Sequence, residues 1–90
     1  MINLEETATD TAAAIPVLRD QIDALDLAIT RLVTERARLS RRIQAARLAA
    51  GGVRVELGRE RQILDRYRQA VGTAGTGLAE AVLRACRGSL

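Results

Sequence analysis

Residues 18–48 read LRDQIDALDLAITRLVTERARLSRRIQAARL, and this stretch determines the architecture that we expect for the chain. Apolar residues recur along it in alternating steps of four and three, which places them on one side of an α-helix. The members of this apolar seam are Leu18, Ile22, Leu25, Ile29, Leu32, Leu39, Ile43 and Ala46. Such a seam predicts a single long helix that packs along its length against another helix.

One position of the seam is occupied by an arginine. Arg36 lies between Leu32 and Leu39, and a guanidinium that is buried there keeps its charge and needs an anionic partner. Arg47 follows eleven residues later, and eleven steps of about 100° bring it back to within about 20° of the same direction. Arg19 precedes Arg36 by seventeen residues, a rotation of about 260°, so it lies on a different side of the helix. If the three arginines serve one site, Arg19 must come from a second copy of the chain.

The composition favours a small all-α domain that associates with a second copy. Ninety residues make one domain at most, and a chain of this length buries little of its own surface. Hydrophobic residues make up 48% of the chain, but Tyr67 is the only aromatic one, so the core has to be aliphatic. No segment shows the alternation of a β-strand. The net charge of +3 argues only weakly for an anionic partner.

The first fourteen residues are acidic and rich in Thr and Ala, which predicts a flexible lead-in over residues 1–14 and a domain over residues 15–90. This segment has no basic region of the kind that opens a signal peptide, and no apolar run is long enough to span a bilayer. Cys86 is the only cysteine, so no disulfide is expected. A reduced, cytoplasmic setting follows, with no membrane partner.

Proline and glycine residues divide the domain into three helices. The first helix is expected over Pro16–Ala50 and ends at Gly51-Gly52. The second is predicted over Leu57–Val71, followed by a loop over residues 72–77, which read GTAGTG. The third helix is predicted over Leu78–Cys86. Its expected buried residues are Leu78, Val82 and either Cys86 or Ala85.

Charged residues near the start of the second helix complete a candidate site. Glu60 opens an otherwise apolar stripe, Glu56 lies one turn before it, and Arg59 is adjacent. These charges either neutralise the inward arginines, lie on solvated surface, or leave a positive surplus that binds a small anion with more than one carboxylate. The sequence has no histidine and no metal-ligand set, so nucleophilic and metal-assisted catalysis are not expected. A reaction that needs only a held conformation and stabilised charge remains open.

These residues resemble the all-helical (AroQ-type) chorismate mutases, and in particular their short actinobacterial subclass. The resemblance covers about residues 15–90 and rests on an ordered set of spacings: LRDQIDALD at residues 18–26, Arg36, Ala46-Arg47, GGVR at residues 51–54, and Gly58-Arg59-Glu60. It implies an intertwined helical homodimer with three helices per protomer, one long and two shorter. Each of its two active sites would draw on both chains.

The resemblance also implies how the site would rearrange chorismate to prephenate, on the Phe/Tyr branch of aromatic amino acid biosynthesis. The substrate-binding residues would be Arg19 (from the partner protomer), Arg36, Glu56 and Arg59, and the catalytic residues Arg47 and Glu60. Arg19 and Arg36 would hold the two carboxylates, with Arg59 in support. Arg47 would donate to the ether oxygen, and the two glutamates would hold the C4 hydroxyl. No cofactor or metal is implied.

The chain departs from the subclass in three places. Glu56 stands where an aliphatic residue is usual, Val53 replaces a threonine, and the third helix ends before the glutamine that longer members place over the ether oxygen. Arg87 is a candidate to substitute for that glutamine. The subclass is activated by complex formation with a DAHP synthase, largely through the loop and the C-terminal tail. Here the tail reads RGSL where a second arginine is common, which leaves that partner open.

The residues leave other functions open. Sister proteins on this scaffold act on 4-amino-4-deoxychorismate, whose amine would suit two glutamates, or are isochorismate-pyruvate lyases, which lack the Arg-Glu pair seen at residues 59 and 60. A dimeric nucleic-acid-binding module would use the inward pair Arg36 and Arg47 together with Arg31, Arg38, Arg41 and Arg42. Against it, acidic residues are interspersed, no aromatic platform exists, and the inward pair points into the seam. A coiled-coil scaffold would tolerate Arg36→Leu. Chorismate mutase, with no nucleic-acid partner, is the main hypothesis.

Overall fold

The computed structural model describes residues 10–52 and 57–87, and within these residues the chain is helical with no β-strand. Helix α1 is Ile15–Ala49, α2 is Leu57–Val71 and α3 is Gly75–Arg87, and a 3-10 turn at Ala12–Ala14 precedes α1. The prediction of an all-α fold with one long and two shorter helices is therefore confirmed. The first two helices begin and end within one residue of their expected bounds.

The local sequence accounts for both ends of α1. Pro16 stands in the first turn, where its missing N–H costs no hydrogen bond. At the other end Gly51 has φ of +80°, which a residue with a Cβ rarely adopts. The Gly51 N–H donates to the Leu48 carbonyl at 3.0 Å, and the Gly52 N–H donates to the Arg47 carbonyl at 2.8 Å. These two bonds form a Schellman motif, so Gly51-Gly52 end α1 as predicted.

The connection between α2 and α3 is shorter than the sequence predicts. A loop was expected over residues 72–77, but α3 already begins at Gly75, before the expected Leu78. Gly72, with φ of +91°, makes the turn. Gly75 serves another purpose, because a Cβ at this residue would lie 2.3 Å from the Tyr67 carbonyl oxygen. The missing side chain lets α3 pack directly on the backbone of α2.

Helix α3 is the central element of the protomer. It packs against both α1 and α2, whereas among the described residues the backbones of α1 and α2 do not approach each other. The buried stripe of α3 consists of Gly75, Ala79, Val82 and Cys86. Val82 and Cys86 form the core with Ala37 of α1, and Val33 and Tyr67 pack against this cluster. The core is therefore small and, apart from the Tyr67 ring, aliphatic.

One residue expected in the core lies outside it. Leu78 is 47% exposed, whereas Ala79 is fully buried. Of the two alternatives Cys86 and Ala85, Cys86 is the buried residue. The buried stripe of α3 passes through Ala79 because α2 and α3 are in direct backbone contact, where only small side chains fit. Leu78 lies one position, or about 100°, away from this contact.

One face of α1 remains uncovered in the described part of the chain. Helix α1 has 35 residues and α3 has 13, which correspond to about 52 Å and about 20 Å. Six of the seven large apolar side chains of the seam are 46–68% exposed, namely Ile22, Leu25, Ile29, Leu32, Leu39 and Ile43. The radius of gyration is 17.5 Å, against about 12 Å for a compact domain of this length. None of the described helices combines the length and the apolarity that crossing a bilayer requires.

Candidate functional site

Burial distinguishes four charged residues in the described part of the chain. Arg36, Arg47, Glu60 and Arg87 are half-buried, whereas every other charged side chain within residues 10–52 and 58–87 is exposed. Withdrawing a charge from water is costly unless a partner compensates for it. We therefore consider these four residues, which lie on all three helices, as the candidate site.

Helix α1 places its two half-buried arginines at the border between two faces. Arg36 is about 40° around the helix from Leu32 and about 100° from Ala37. Leu32 belongs to the exposed apolar seam and Ala37 to the core against α3. Arg47 points within about 20° of Arg36 and lies about 16 Å further along the axis. All the other arginines of α1 are exposed.

The end of α1 leaves space for the side chain of Arg47. The Schellman motif holds the Arg47 carbonyl through the N–H of Gly52. A Cβ at residue 52 would lie 2.8 Å from Cγ of Arg47 and 3.2 Å from its carbonyl oxygen. Any side chain at this position would therefore displace the Arg47 side chain near its stem, so Gly52 permits the conformation that Arg47 adopts.

Glu60 and Arg87 form an ion pair between α2 and α3. The Nη2 of Arg87 donates to the Oε1 of Glu60, and the side chains are 36% and 25% exposed, respectively. Glu60 stands in the first turn of α2 and Arg87 in the last turn of α3. The two helices run antiparallel, so these ends meet. Each charge also has the sign that its own helix end favours.

The small core brings this pair next to α1. Ala37 and Cys86 belong to one core cluster. Arg36 and Arg87 are the sequence neighbours of these two residues, one on each helix. The core therefore places the C-terminal end of α3, which carries Arg87, next to α1.

Arginines predominate among the four half-buried residues, which are three arginines and one glutamate. Glu60 is paired internally with Arg87. Guanidinium groups bind carboxylates with two parallel hydrogen bonds, so this set of residues suits a small anion that carries carboxylates.

The remaining expected site residues lie apart from these four or outside the described residues. Arg19 is exposed and is about 26 Å from Arg36 along α1, further than one arginine side chain can bridge. Arg59 is exposed although it is adjacent to Glu60. Glu56 lies outside the described residues. Within one protomer, Arg19 therefore cannot serve the same site as Arg36.

Within the described residues, neither the cysteine nor a metal site adds to the chemistry of these four side chains. Cys86 is a free thiol that is buried in the core. No group of His, Cys, Asp and Glu side chains in this part of the chain could hold a metal ion. The site is thus an arginine and carboxylate site, suited to positioning an anion and stabilising negative charge.

Sequence reasoning missed two features of this site. One is the contact of Arg87 with Glu60, which was foreseeable only from the charges at the ends of an antiparallel helix pair. The other is the close approach of Gly52 to the Arg47 side chain. A glycine pair at a helix end already has a sufficient explanation as a C-cap, so nothing in the sequence indicated this second role.

Comparison with known proteins gives a matching family and several similar proteins, and these agree with one another. The profile of the family described as chorismate mutase type II matches residues 18–86. The intracellular chorismate mutase of Mycobacterium tuberculosis (strain H37Rv) is 40% identical over 89 residues, which make up 99% of this chain and 84% of that protein. The intracellular chorismate mutase of Mycolicibacterium smegmatis is 40% identical over 81 residues, or 90% of this chain and 78% of that protein.

A solved structure is similar in both fold and sequence. It is a chain of the non-covalent complex of DAHP synthase and chorismate mutase from Corynebacterium glutamicum, with a bound transition state analogue. The TM-score is 0.81 and the sequence identity 36%, and the match covers 87% of this chain and 94% of that chain.

Proposed function

The chain belongs to the chorismate mutase type II family and is a chorismate mutase, and on this premise we propose that it rearranges chorismate to prephenate at Arg36, Arg47 and Glu60. The observation that carries this assignment of the site is selective burial. Of all the arginines of α1, only Arg36 and Arg47 are withdrawn from water, and Glu60 is the only half-buried carboxylate among the described residues.

The arginines of the site fit the substrate. Chorismate carries two carboxylates, and three of the four half-buried residues are arginines. Arg36 binds one carboxylate through its guanidinium fork. Arg19 of a second protomer binds the other, because its own protomer holds it about 26 Å from Arg36. Arg59, at the exposed rim beside Glu60, supports this binding.

The enzyme is an isomerase, and its chemistry needs no added group. In the rearrangement the ether C–O bond breaks while a new C–C bond forms within the same molecule, so no atom is gained or lost. The protein has two means of accelerating such a step. It holds the substrate in the conformer in which the bonding carbons are close, and it stabilises the charge that develops as the ether bond breaks.

Arg47 supplies the second of these effects. Negative charge grows on the ether oxygen in the transition state, and a fixed guanidinium donor stabilises it more than it stabilises the ground state. The backbone of Gly52 permits the conformation of the Arg47 side chain from which this donation occurs. Glu60, together with Glu56, holds the C4 hydroxyl and so orients the ring.

The exposed seam of α1 is the interface of a homodimer. Full burial of a Leu or Ile side chain contributes about 1.5–3 kcal/mol, and six large side chains of the seam are at least 46% exposed in the protomer. Arg36 lies at the border of this seam and Arg19 on the same long helix. Pairing of the α1 helices would therefore cover the seam and bring the second protomer to the site.

Two further points follow from the relatives. The solved structure that this chain resembles is a complex of a chorismate mutase with a DAHP synthase, and we infer that a DAHP synthase is a candidate activating partner here as well. The relatives from mycobacteria are named intracellular chorismate mutases, and we infer a cytoplasmic location. Their names also favour chorismate over its 4-amino analogue.

A direct assay tests this function. The purified full chain is incubated with chorismate, and in parallel with 4-amino-4-deoxychorismate, with and without a DAHP synthase. Prephenate, which has the same mass as chorismate, is identified by its nuclear magnetic resonance spectrum. We expect prephenate from chorismate, and a kcat/KM for chorismate that exceeds that for the amino analogue by at least about 100-fold, the discrimination that one mispaired buried polar group can supply. Preferred turnover of the amino analogue would contradict the substrate, and turnover of neither compound would contradict the reaction.

A further inference from the structure

The Glu60–Arg87 pair places a basic residue of α3 directly on a carboxylate of the proposed site. Arg87 approaches through its Nη2 and engages Oε1 of Glu60. Because a carboxylate has two oxygens, Oε2 remains available to accept a hydrogen bond from a ligand. Both side chains are half-buried, at 25% for Glu60 and 36% for Arg87, so the pair is less screened than an ion pair on the open surface.

The surrounding packing holds the pair in place. Cys86, next to Arg87, is in the core with Ala37 of α1. At the other end of the helix pair, Gly75 lies directly on the backbone of α2. Helix α3 therefore cannot shift along α2 without disturbing the core, and the guanidinium of Arg87 stays next to Glu60.

We propose that Arg87 is a positioning residue that acts through Glu60, holding its carboxylate oriented so that the free oxygen accepts the substrate hydroxyl. This inference rests on the proposed function, in which Glu60 binds the C4 hydroxyl of chorismate. A guanidinium that donates to one carboxylate oxygen leaves the other oxygen as an acceptor for a ligand. It also fixes the rotamer of a side chain that would otherwise sample several.

A purely structural role makes different predictions. If Arg87 only holds α3 against α2, its loss would lower the thermal stability, and it would change kcat/KM by the same factor whether or not residue 60 is a carboxylate. If it acts through Glu60, its loss matters only while Glu60 is present as a carboxylate. A double-mutant cycle separates the two roles, because residues that act as a unit are not additive.

The experiment measures kcat and KM for chorismate in the full chain carrying Arg87→Met, Glu60→Gln, or both. Arg84→Met is the matched control, because Arg84 lies in the same last turn of α3 but is exposed. We expect Arg87→Met to lower kcat/KM about 10- to 30-fold, as for the loss of a charge-assisted hydrogen bond, and Arg84→Met to change it less than about twofold. In the Glu60→Gln background, Arg87→Met should have less than about a threefold effect. Arg87→Lys, which keeps a charged donor, should recover part of the activity.

Two controls keep the outcomes separate. A chorismate analogue without the C4 hydroxyl should respond little to Arg87→Met, because the contact that Arg87 supports is missing. Circular dichroism melting shows whether each variant folds. An equal loss with and without the Glu60 carboxylate, or no loss at all, would overturn the inference about Arg87. No turnover of chorismate by the unaltered chain would overturn the proposed function itself.

Discussion

The exposed seam of α1 leads to a quantitative prediction about association. Leu32 is 68% exposed in the protomer and lies in the seam. Leu27, on the same helix, is 51% exposed, but the five intervening steps place it about 140° away from Leu32. Leu32→Ala and Leu27→Ala thus remove the same groups from two exposed sites, and only the first site lies in the proposed dimer interface.

The magnitude follows from the exposed fraction. Burying a whole leucine side chain contributes about 1.5–3 kcal/mol, so the 68% that is still exposed at Leu32 accounts for about 1–2 kcal/mol. A symmetric dimer buries the residue twice, which gives about 2–4 kcal/mol. The dimer dissociation constant should then rise about 30- to 800-fold in Leu32→Ala, at about 1.4 kcal/mol per factor of ten. In Leu27→Ala it should stay within about threefold of the original value.

Sedimentation equilibrium over a dilution series measures these constants for the unaltered chain and both variants. Thermal melting at one protein concentration shows that each variant folds. Equal dissociation constants for Leu32→Ala and Leu27→Ala would refute the assignment of the seam as the interface. A chain that sediments as a monomer at all concentrations would refute the homodimer altogether.

Three further substitutions, the last with a matched control, probe the site and the helix packing. Arg36→Leu should lower kcat/KM at least about 100-fold without making the dimer less stable, because an apolar side chain replaces an inward charge. Unchanged turnover would indicate that the helix pair is only a scaffold. Gly52→Ala should lower kcat about 10- to 100-fold with the fold intact by circular dichroism, because the new Cβ would lie 2.8 Å from Cγ of Arg47; an unchanged kcat would mean that Arg47 has another active conformation. Gly75→Ala should lower the free energy of unfolding in urea by more than about 2 kcal/mol, because the new Cβ would lie 2.3 Å from the α2 backbone. Gly77→Ala is the control: a Cβ there would have no atom within 4 Å, so this substitution should stabilise the helix. Similar effects of these last two substitutions would contradict the close packing of α3 on α2.

The sequence was sufficient for the first two helices because their signals are local. A proline in the first turn and a glycine pair at the end mark α1, and both act through the backbone of the same segment. The predicted beginning of α3 was wrong because GTAGTG contains glycines with two different roles. Gly72 adopts a positive φ in the turn, whereas Gly75 is inside the helix and is required by the nearby backbone of α2. Only the tertiary structure distinguishes these roles.

The candidate site, like the fold, was predictable only where the signal lies within one helix. The direction of Arg36 and Arg47 follows from their spacing along one regular helix, and both are half-buried. The Arg87 contact with Glu60 depends instead on how α2 and α3 are aligned, which the core around Cys86 decides. Spacing along the chain carries no information about that alignment.

The most direct test of the chorismate mutase reaction compares turnover of chorismate by the unaltered chain, Arg47→Ala and Arg42→Ala. Arg42 is the matched control, since it is an exposed arginine of the same helix, about 140° away from Arg47. We expect prephenate formation by the unaltered chain, a loss of at least about 100-fold in kcat for Arg47→Ala, as for the removal of a donor to developing charge, and less than about a twofold change for Arg42→Ala. Full activity of a folded Arg47→Ala variant would contradict the role of this arginine at the ether oxygen.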